Sequence, residues 1–299
     1  MPVVSRLARL QQLLVAGLFL LAFLWLMGWW STRPVLACAG AVVIVLVHAI
    51  VLAVEFVLLR VASGADPAPK PAWGQVTAAW WREVVQDIVV FGWRQPFAWR
   101  AEPDRLDGAR GRTGFVFVHG FVCNRGFWTP WLRQARVLGH SFAAVNLEPV
   151  FGSIDHYADI VEDAVAKVAA ATGKPPMLVC HSMGGLAARA WLRRYGGVSR
   201  VARVVTIGTP HQGTWLARFS RLPNGRQMRI GGDWLQELAG HAHDIPFTCW
   251  YSNCDNIVFP PSTATLPGAD NQHLGGAGHV DLAFRQQVID RTFALAHAL

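Results

Sequence analysis

At 299 residues, with 53% apolar and only 15% charged residues, the chain carries more apolar side chains than a water-soluble enzyme of this size needs, so part of it belongs in a membrane. Its formal charge of +8 rests on arginine, the exceptions being Lys70, Lys167 and Lys174; this suits anionic lipid headgroups, while the lack of any basic run, zinc-ligand spacing or RNA-binding signature argues against nucleic acid. Five scattered cysteines, Cys38, Cys123, Cys180, Cys249 and Cys254, give no disulfide framework and leave only a Cys249–Cys254 bridge open.

From Leu10 to Trp30 no charge interrupts an apolar run, and after Ser31-Thr32-Arg33-Pro34 a second extends from Val35 to Leu59, broken only by His48 and Glu55. Each is long enough to cross a hydrocarbon core roughly 30 Å thick as a helix. Together they predict a transmembrane helical hairpin over residues 1–62, with Trp25, Trp29 and Trp30 at an interface and Pro34 breaking the chain between spans. A cleaved signal peptide is the rival: Arg6 and Arg9 would begin it, and Val35-Leu36-Ala37-Cys38 resembles a lipoprotein cleavage box, but Arg33-Pro34 interrupts the approach and the apolar run continues past it. Arg6, Arg9, Arg60, Lys70 and Arg82 flank the outer ends, whereas the loop holds only Arg33, so the positive-inside rule puts the rest of the chain in the cytoplasm. Glu55 sits near the basic end, within reach of the interface.

Residues 63–100 form a second unit. Ser63 to Ala72, with Pro67, Pro69 and Pro71, is a stiff linker. Val76 to Phe91 then sets Trp80, Trp81, Val84, Val85, Ile88 and Val89 at helical spacing, for packing on the side of a domain or, with Trp73, Trp93 and Trp99 nearby, for resting at a membrane surface.

Residues 101–299 alternate short apolar runs with helical ones. Strands are expected at Phe115–Val118, Phe142–Val145, Met177–Cys180, Val201–Ile207, Phe247–Tyr251 and Gln272–Leu274. Helices are expected at Phe127–Leu138, Tyr157–Ala171, Leu186–Tyr195 and Leu282–Ala298. Buried strands alternating with amphipathic helices imply an α/β fold, a mostly parallel sheet with helices on both faces.

Within it, Cys180-His181-Ser182-Met183-Gly184-Gly185 joins a strand to a helix. A sharp turn there exposes the Ser182 hydroxyl, lets the helix start close to the strand, and aims the Met183 N–H where an oxyanion would form. The match to G-x-S-x-G is imperfect, because Cys180 takes the first glycine position.

With Phe117-Val118-His119-Gly120-Phe121 and Gly208-Thr209-Pro210-His211-Gln212-Gly213-Thr214, this stretch resembles bacterial lipases and esterases of the α/β-hydrolase fold, from about Gly114 to His279. The resemblance implies a serine nucleophile, Ser182, and an oxyanion hole from the backbone of Phe121 and Met183. It implies the chain order Ser, acid, His, which selects His279 as base ahead of His273, and Asp255 as acid ahead of Asp233, Asp244 and Asp270. His119 and His211 are structural or positioning residues on this view, and neither a metal nor a cofactor is required.

The stretch from Thr214 to Pro246 falls where the fold often inserts a cap. Trp215, Leu216, Phe219, Trp234 and Leu235 stand there beside Arg218, Arg221, Arg226 and Arg229, which suits an acyl chain on an anionic headgroup. Phe127 and Trp128, with Phe121 and Trp131, are candidates to wall the acyl site, core packing being the alternative. The expectation is a bacterial inner-membrane serine hydrolase, a lipase or carboxylesterase acting on a lipid-like ester among membrane lipids. An acyltransferase with the same triad, or a non-catalytic membrane interaction module, are the other classes.

Overall fold

The computed structural model describes residues 5–196, 199–241 and 245–299, so Asp244 lies outside the described residues. Helix α1 (Arg6–Trp30) is long and apolar enough to cross a membrane. The second apolar run is not one straight helix: α2 (Pro34–Val45) and α3 (Val47–Ala62) meet at Leu46 with a bend of 57°. Hydropathy cannot register that bend, because α3 takes its direction from docking on the body of the protein through buried Phe56 and Leu59.

The proline-rich stretch after α3 is fastened down, with Asn253 donating to the Pro69 carbonyl at 2.9 Å and the Ser262 N–H donating to Asp66 at 3.1 Å. Helix α4 (Trp73–Val89) runs on through a wider turn at Val90–Arg94 into the short α5 (Gln95–Phe97). Its buried side is Val76, Ala79, Glu83 and Val84, whereas Trp81, Val85 and Ile88 are exposed. The apolar stripe read from the sequence is thus split between an inner face on the protein and an outer aromatic face.

The sheet holds six strands, all parallel, in the order β2-β1-β3-β4-β5-β6. They are β1 (Phe115–Val118), β2 (Phe142–Ala144), β3 (Met177–His181), β4 (Arg203–Ile207), β5 (Phe247–Tyr251) and β6 (Asp270–His273). Between them come α6 (Thr129–Val137), α7 (Ala158–Thr172), α8 (Met183–Tyr195), α9 (Pro223–Gln227) and α10 (Asp233–Ala239); α11 (His279–Ala283) and α12 (Gln286–His297) close the chain. Central strands covered on both faces bury every side chain, which is why β1 and β3 read as unbroken apolar runs. One core cluster packs α7 and α8 against one face, and the other packs α6 and α12 against the opposite face.

Several helix boundaries differ from the periodicity; α4 starts at Trp73 rather than Val76 and α6 at Thr129 rather than Phe127. Helix α8 starts at Met183, directly after the turn, and the closing helix is broken at Phe284-Arg285 into α11 and α12. All five cysteines are free thiols, so Cys249 and Cys254 do not pair.

Candidate active site

In a parallel sheet of this order the chain leaves β1 in one direction and returns to its other side as β3, which opens a crevice beyond their carboxyl ends. His119-Gly120-Phe121 follows β1 and Ser182 follows β3, so both loops meet at that crevice. Ser182 has φ 54° and ψ −130°, a backbone conformation that costs an L-residue free energy and throws its side chain off the strand axis. The bend is at Ser182 itself. Cys180 still belongs to β3, buried and paired with Val118 and Thr206, so its side chain needs no room in the turn. A side chain at Gly184 would collide with the Val118 carbonyl, which explains glycine there.

The loop after β5 presents Asp255, and α11 begins with His279. The two residues are 1% and 5% exposed. The Nδ1–H of His279 donates to both Asp255 oxygens, at 2.9 and 3.0 Å. Asp255 Oδ1 also accepts the N–H groups of Ile257 at 3.0 Å and Val258 at 2.8 Å, and Asn256 Oδ1 accepts the His279 N–H at 3.1 Å. With its proton held on Nδ1, the imidazole carries its lone pair on Nε2, the tautomer a general base requires. Ser182 and His279 line one cavity of about 490 Å³. Among the described residues, no protein acceptor takes the N–H of Phe121 or Met183.

His273 is exposed on edge strand β6 beside Tyr251, and Asp233 and Asp270 are exposed. None of them joins this cluster. His119 is fully engaged: Nδ1–H donates to the Gly120 carbonyl at 2.9 Å and Nε2 accepts the Leu147 N–H at 3.0 Å. Burial lowers its pKa to about 4, so it stays neutral. His211 is buried beside Thr206, whose hydroxyl lies 3.0 Å from its Nε2.

Of the expected acyl wall, Phe121 lines the cavity and the others do not. Phe127 and Trp128 are wholly buried in the core beneath β1, where Phe117 and Trp131 fill the space around them. Trp215 and Leu216 pack on Phe56, Leu59 and Phe259. None of the four lines the cavity. Nor, among the described residues, does the cap region supply cations to it: Arg229 donates to the Ala217 and Ser220 carbonyls and Arg218 lies over Trp215.

The cavity is roofed instead by the N-terminal helices. Val47, Val51 and Leu52 of α3 form an apolar wall, and Glu55, Glu83 and Asp87 add carboxyl groups. Glu83 accepts the N–H groups of Val280 at 2.7 Å and Asp281 at 2.9 Å, capping the helix that starts at His279. Complete burial, and next the charge of Asp87, hold its carboxyl well above the usual carboxylate range. Asp87, raised by burial and then by Glu55, titrates near about 7. His181, one residue before Ser182, stacks on Phe127 at 4.4 Å, and its Nε2–H donates to the His279 carbonyl at 3.1 Å. Burial first, and His279 second, keep it neutral.

The partners on α3 and α4 were missed because they reach the site from distant parts of the chain. A signal existed for two of them: Val76, Ala79, Glu83 and Asp87 recur every three or four residues, which places two acids on the buried stripe of α4. A second cavity, of about 430 Å³, lies at the amino ends of β4, β5 and β6, beside Arg203, Phe247 and Asp270, at the opposite edge of the sheet from Ser182.

Comparison with known proteins agrees with this architecture. The mature form of Bacillus licheniformis lipase BlEst2 superposes with a TM-score of 0.56 at 18% identity, covering 62% of this chain and 92% of that one. Aspergillus fumigatus lipase B superposes with a TM-score of 0.52 at 18% identity, over 60% of this chain and 51% of that one. At such identities the likeness is one of fold. In sequence, the chain is 32% identical over 124 residues to "Probable esterase PIR7A" of Oryza sativa subsp. indica, a match over 37% of this chain and 46% of the relative. The chain thus spans about half the length of the curated relatives it matches. Residues 115–290, which hold every strand and all three of Ser182, Asp255 and His279, match the model of one family, and on that match the chain belongs to the alpha/beta hydrolase family.

Proposed function

We propose that the chain is a membrane-anchored serine hydrolase that cleaves lipid-like carboxylic esters through an acyl-enzyme on Ser182. The observation that carries this reading is the hydrogen bonding of His279 Nδ1 to both oxygens of Asp255 in the wall of the cavity into which the strained Ser182 turn opens. The lipase and esterase names of the relatives point the same way.

In this mechanism Ser182 Oγ attacks the ester carbonyl carbon while His279 Nε2 takes its proton. Negative charge develops on the carbonyl oxygen, and the N–H groups of Phe121 and Met183 receive it; losing one such donor typically costs about 3 kcal/mol of barrier. The imidazolium, steadied by Asp255, returns the proton to the departing alcohol. Water then attacks the acyl-enzyme, with His279 accepting its proton and passing it to Ser182 Oγ as the acyl bond breaks.

Residues 1–62 anchor the protein, α1 entering the membrane and α2 returning toward the body on which α3 docks. Residues 63–100 strap the anchor to the hydrolase body formed by residues 101–299. The basic residues Arg6, Arg9, Arg60, Lys70 and Arg82 favour a cytoplasmic body beside anionic lipids. A fluorophosphonate probe tests the chemistry: the wild type labels, and labelling of Ser182→Ala at the wild-type rate overturns the assignment.

A further inference from the structure

The catalytic cavity has an asymmetric lining. Val47, Val51 and Leu52 make one side apolar, while Glu55, Glu83 and Asp87 bring three carboxyl groups to the same space. Among the described residues that line it there is no Lys or Arg; its other titratable groups are His48, Cys123, His181 and His279. Arg82 stays outside, paired with Asp281 at 3.3 Å and donating to the Gly276 carbonyl.

The three carboxyl groups are not equivalent. Glu83 is committed to two backbone donors, and Glu55 accepts from Asn256 at 2.7 Å. Asp87 Oδ1 is shielded from solvent and has no hydrogen-bond partner. A buried acceptor left without a donor costs free energy until a donor arrives. A cation in the alcohol portion of a substrate is attracted by these carboxyl groups and a hydroxyl brings no charge for them to repel, whereas a phosphate or carboxylate brings a further negative charge beside them.

Resting on the ester-hydrolase reading above, we propose that this cavity selects esters whose alcohol portion is uncharged or cationic and rejects those with an anionic group near the scissile bond, Asp87 and Glu55 being the selecting side chains. The apolar wall from α3 takes the acyl chain. The basic ends of the anchor attract anionic lipids at the membrane surface, and the cavity then discriminates against them as substrates. Two like charges, each about 8 Å away at an effective dielectric of about 40, each disfavour the anionic ester about fivefold and together by on the order of thirtyfold.

The test uses the full chain in uncharged detergent micelles at pH 8.5, where Asp87 is ionised. Two substrates with the same scissile bond are compared, 1-oleoylglycerol and 1-oleoylglycerol 3-phosphate. The expected kcat/KM ratio favours the uncharged ester by about thirtyfold, and Asp87→Asn and Glu55→Gln each lower this ratio about fivefold, the ratio being read independently of any change in the rate on either ester alone. A wild-type ratio near one overturns the proposal, as does a ratio that both variants leave unchanged while hydrolysing the uncharged ester. Failure to hydrolyse either ester, with Ser182 still labelled by a fluorophosphonate, overturns this inference alone. Failure of both hydrolysis and labelling overturns the hydrolase reading as well.

Discussion

Glu83 holds the amino end of the helix that begins at His279: its carboxyl oxygens accept the N–H of Val280 at 2.7 Å and of Asp281 at 2.9 Å. An N-terminal helix therefore sets the orientation of the proposed catalytic base. Asn256 extends the brace, donating to Glu55 of α3 and accepting the His279 N–H. Glu83 on α4 and, through Asn256, Glu55 on α3 thus both hold the backbone that carries the imidazole.

Removing that brace is expected to act on turnover. In Glu83→Ala two buried N–H groups lose their acceptor, at a cost of about 2 kcal/mol, and kcat should fall about tenfold or more with KM little changed. Glu83→Gln keeps an acceptor and should recover most of the loss. Steady-state kinetics of the two variants checks this; equal losses in both, or a change confined to KM, would exclude a positioning role.

At the turn, chemistry and strain can be separated. Ser182→Ala removes the proposed nucleophile and should lower kcat at least about 10⁴-fold, yet the alanine inherits φ 54°. Ser182→Gly is equally inactive but adopts this conformation freely, so it should be about 1 kcal/mol more stable than the alanine variant. Thermal melts of both variants decide the point; an alanine variant as stable as the glycine one would mean the turn is unstrained.

Gly208 offers a way to disturb the acid and base without touching either. It has φ 58°, and a Cβ there would lie 2.9 Å from Asp255 Oδ2 and 3.2 Å from His279 Nδ1. Gly208→Ala should thus push the pair apart and cost about a hundredfold in kcat. Activity near wild type would show that the pair has slack.

Asp87 makes stability depend on pH in a definite direction. Its carboxyl titrates near 3.8 when unfolded and near about 7 in the folded chain, so between these values the folded state binds more protons. Its contribution to stability is present below pH 3.8 and is lost as pH rises through about 7. His119 acts oppositely: lowered to about 4 by burial, it adds stability as pH rises from 4 to 6.5. Comparing wild type with Asp87→Asn across pH 4 to 8 isolates the carboxyl. The asparagine variant should gain relative stability as pH rises, and parallel curves would contradict this.

The sequence by itself determined whatever depends on near neighbours along the chain. Apolar runs at Phe115–Val118 and Met177–Cys180 mark buried strands because a covered parallel strand has no polar face, and Ser182 between a strand and Met183-Gly184-Gly185 marks a tight turn. Chain order pointed to Asp255 and His279, but only folding brings their side chains within 2.9 Å. Tertiary structure decided the rest. Phe127 and Trp128 have the composition of a pocket wall and fill the core instead, since apolarity does not say which apolar surface a ring will meet. The run Val35–Leu59 has the hydropathy of a straight span, yet it bends where α3 docks. Glu83 lies 197 residues from Val280, and no local propensity encodes a bond between an acid on one helix and the unpaired N–H groups of another until the sheet has brought the two ends of the chain together.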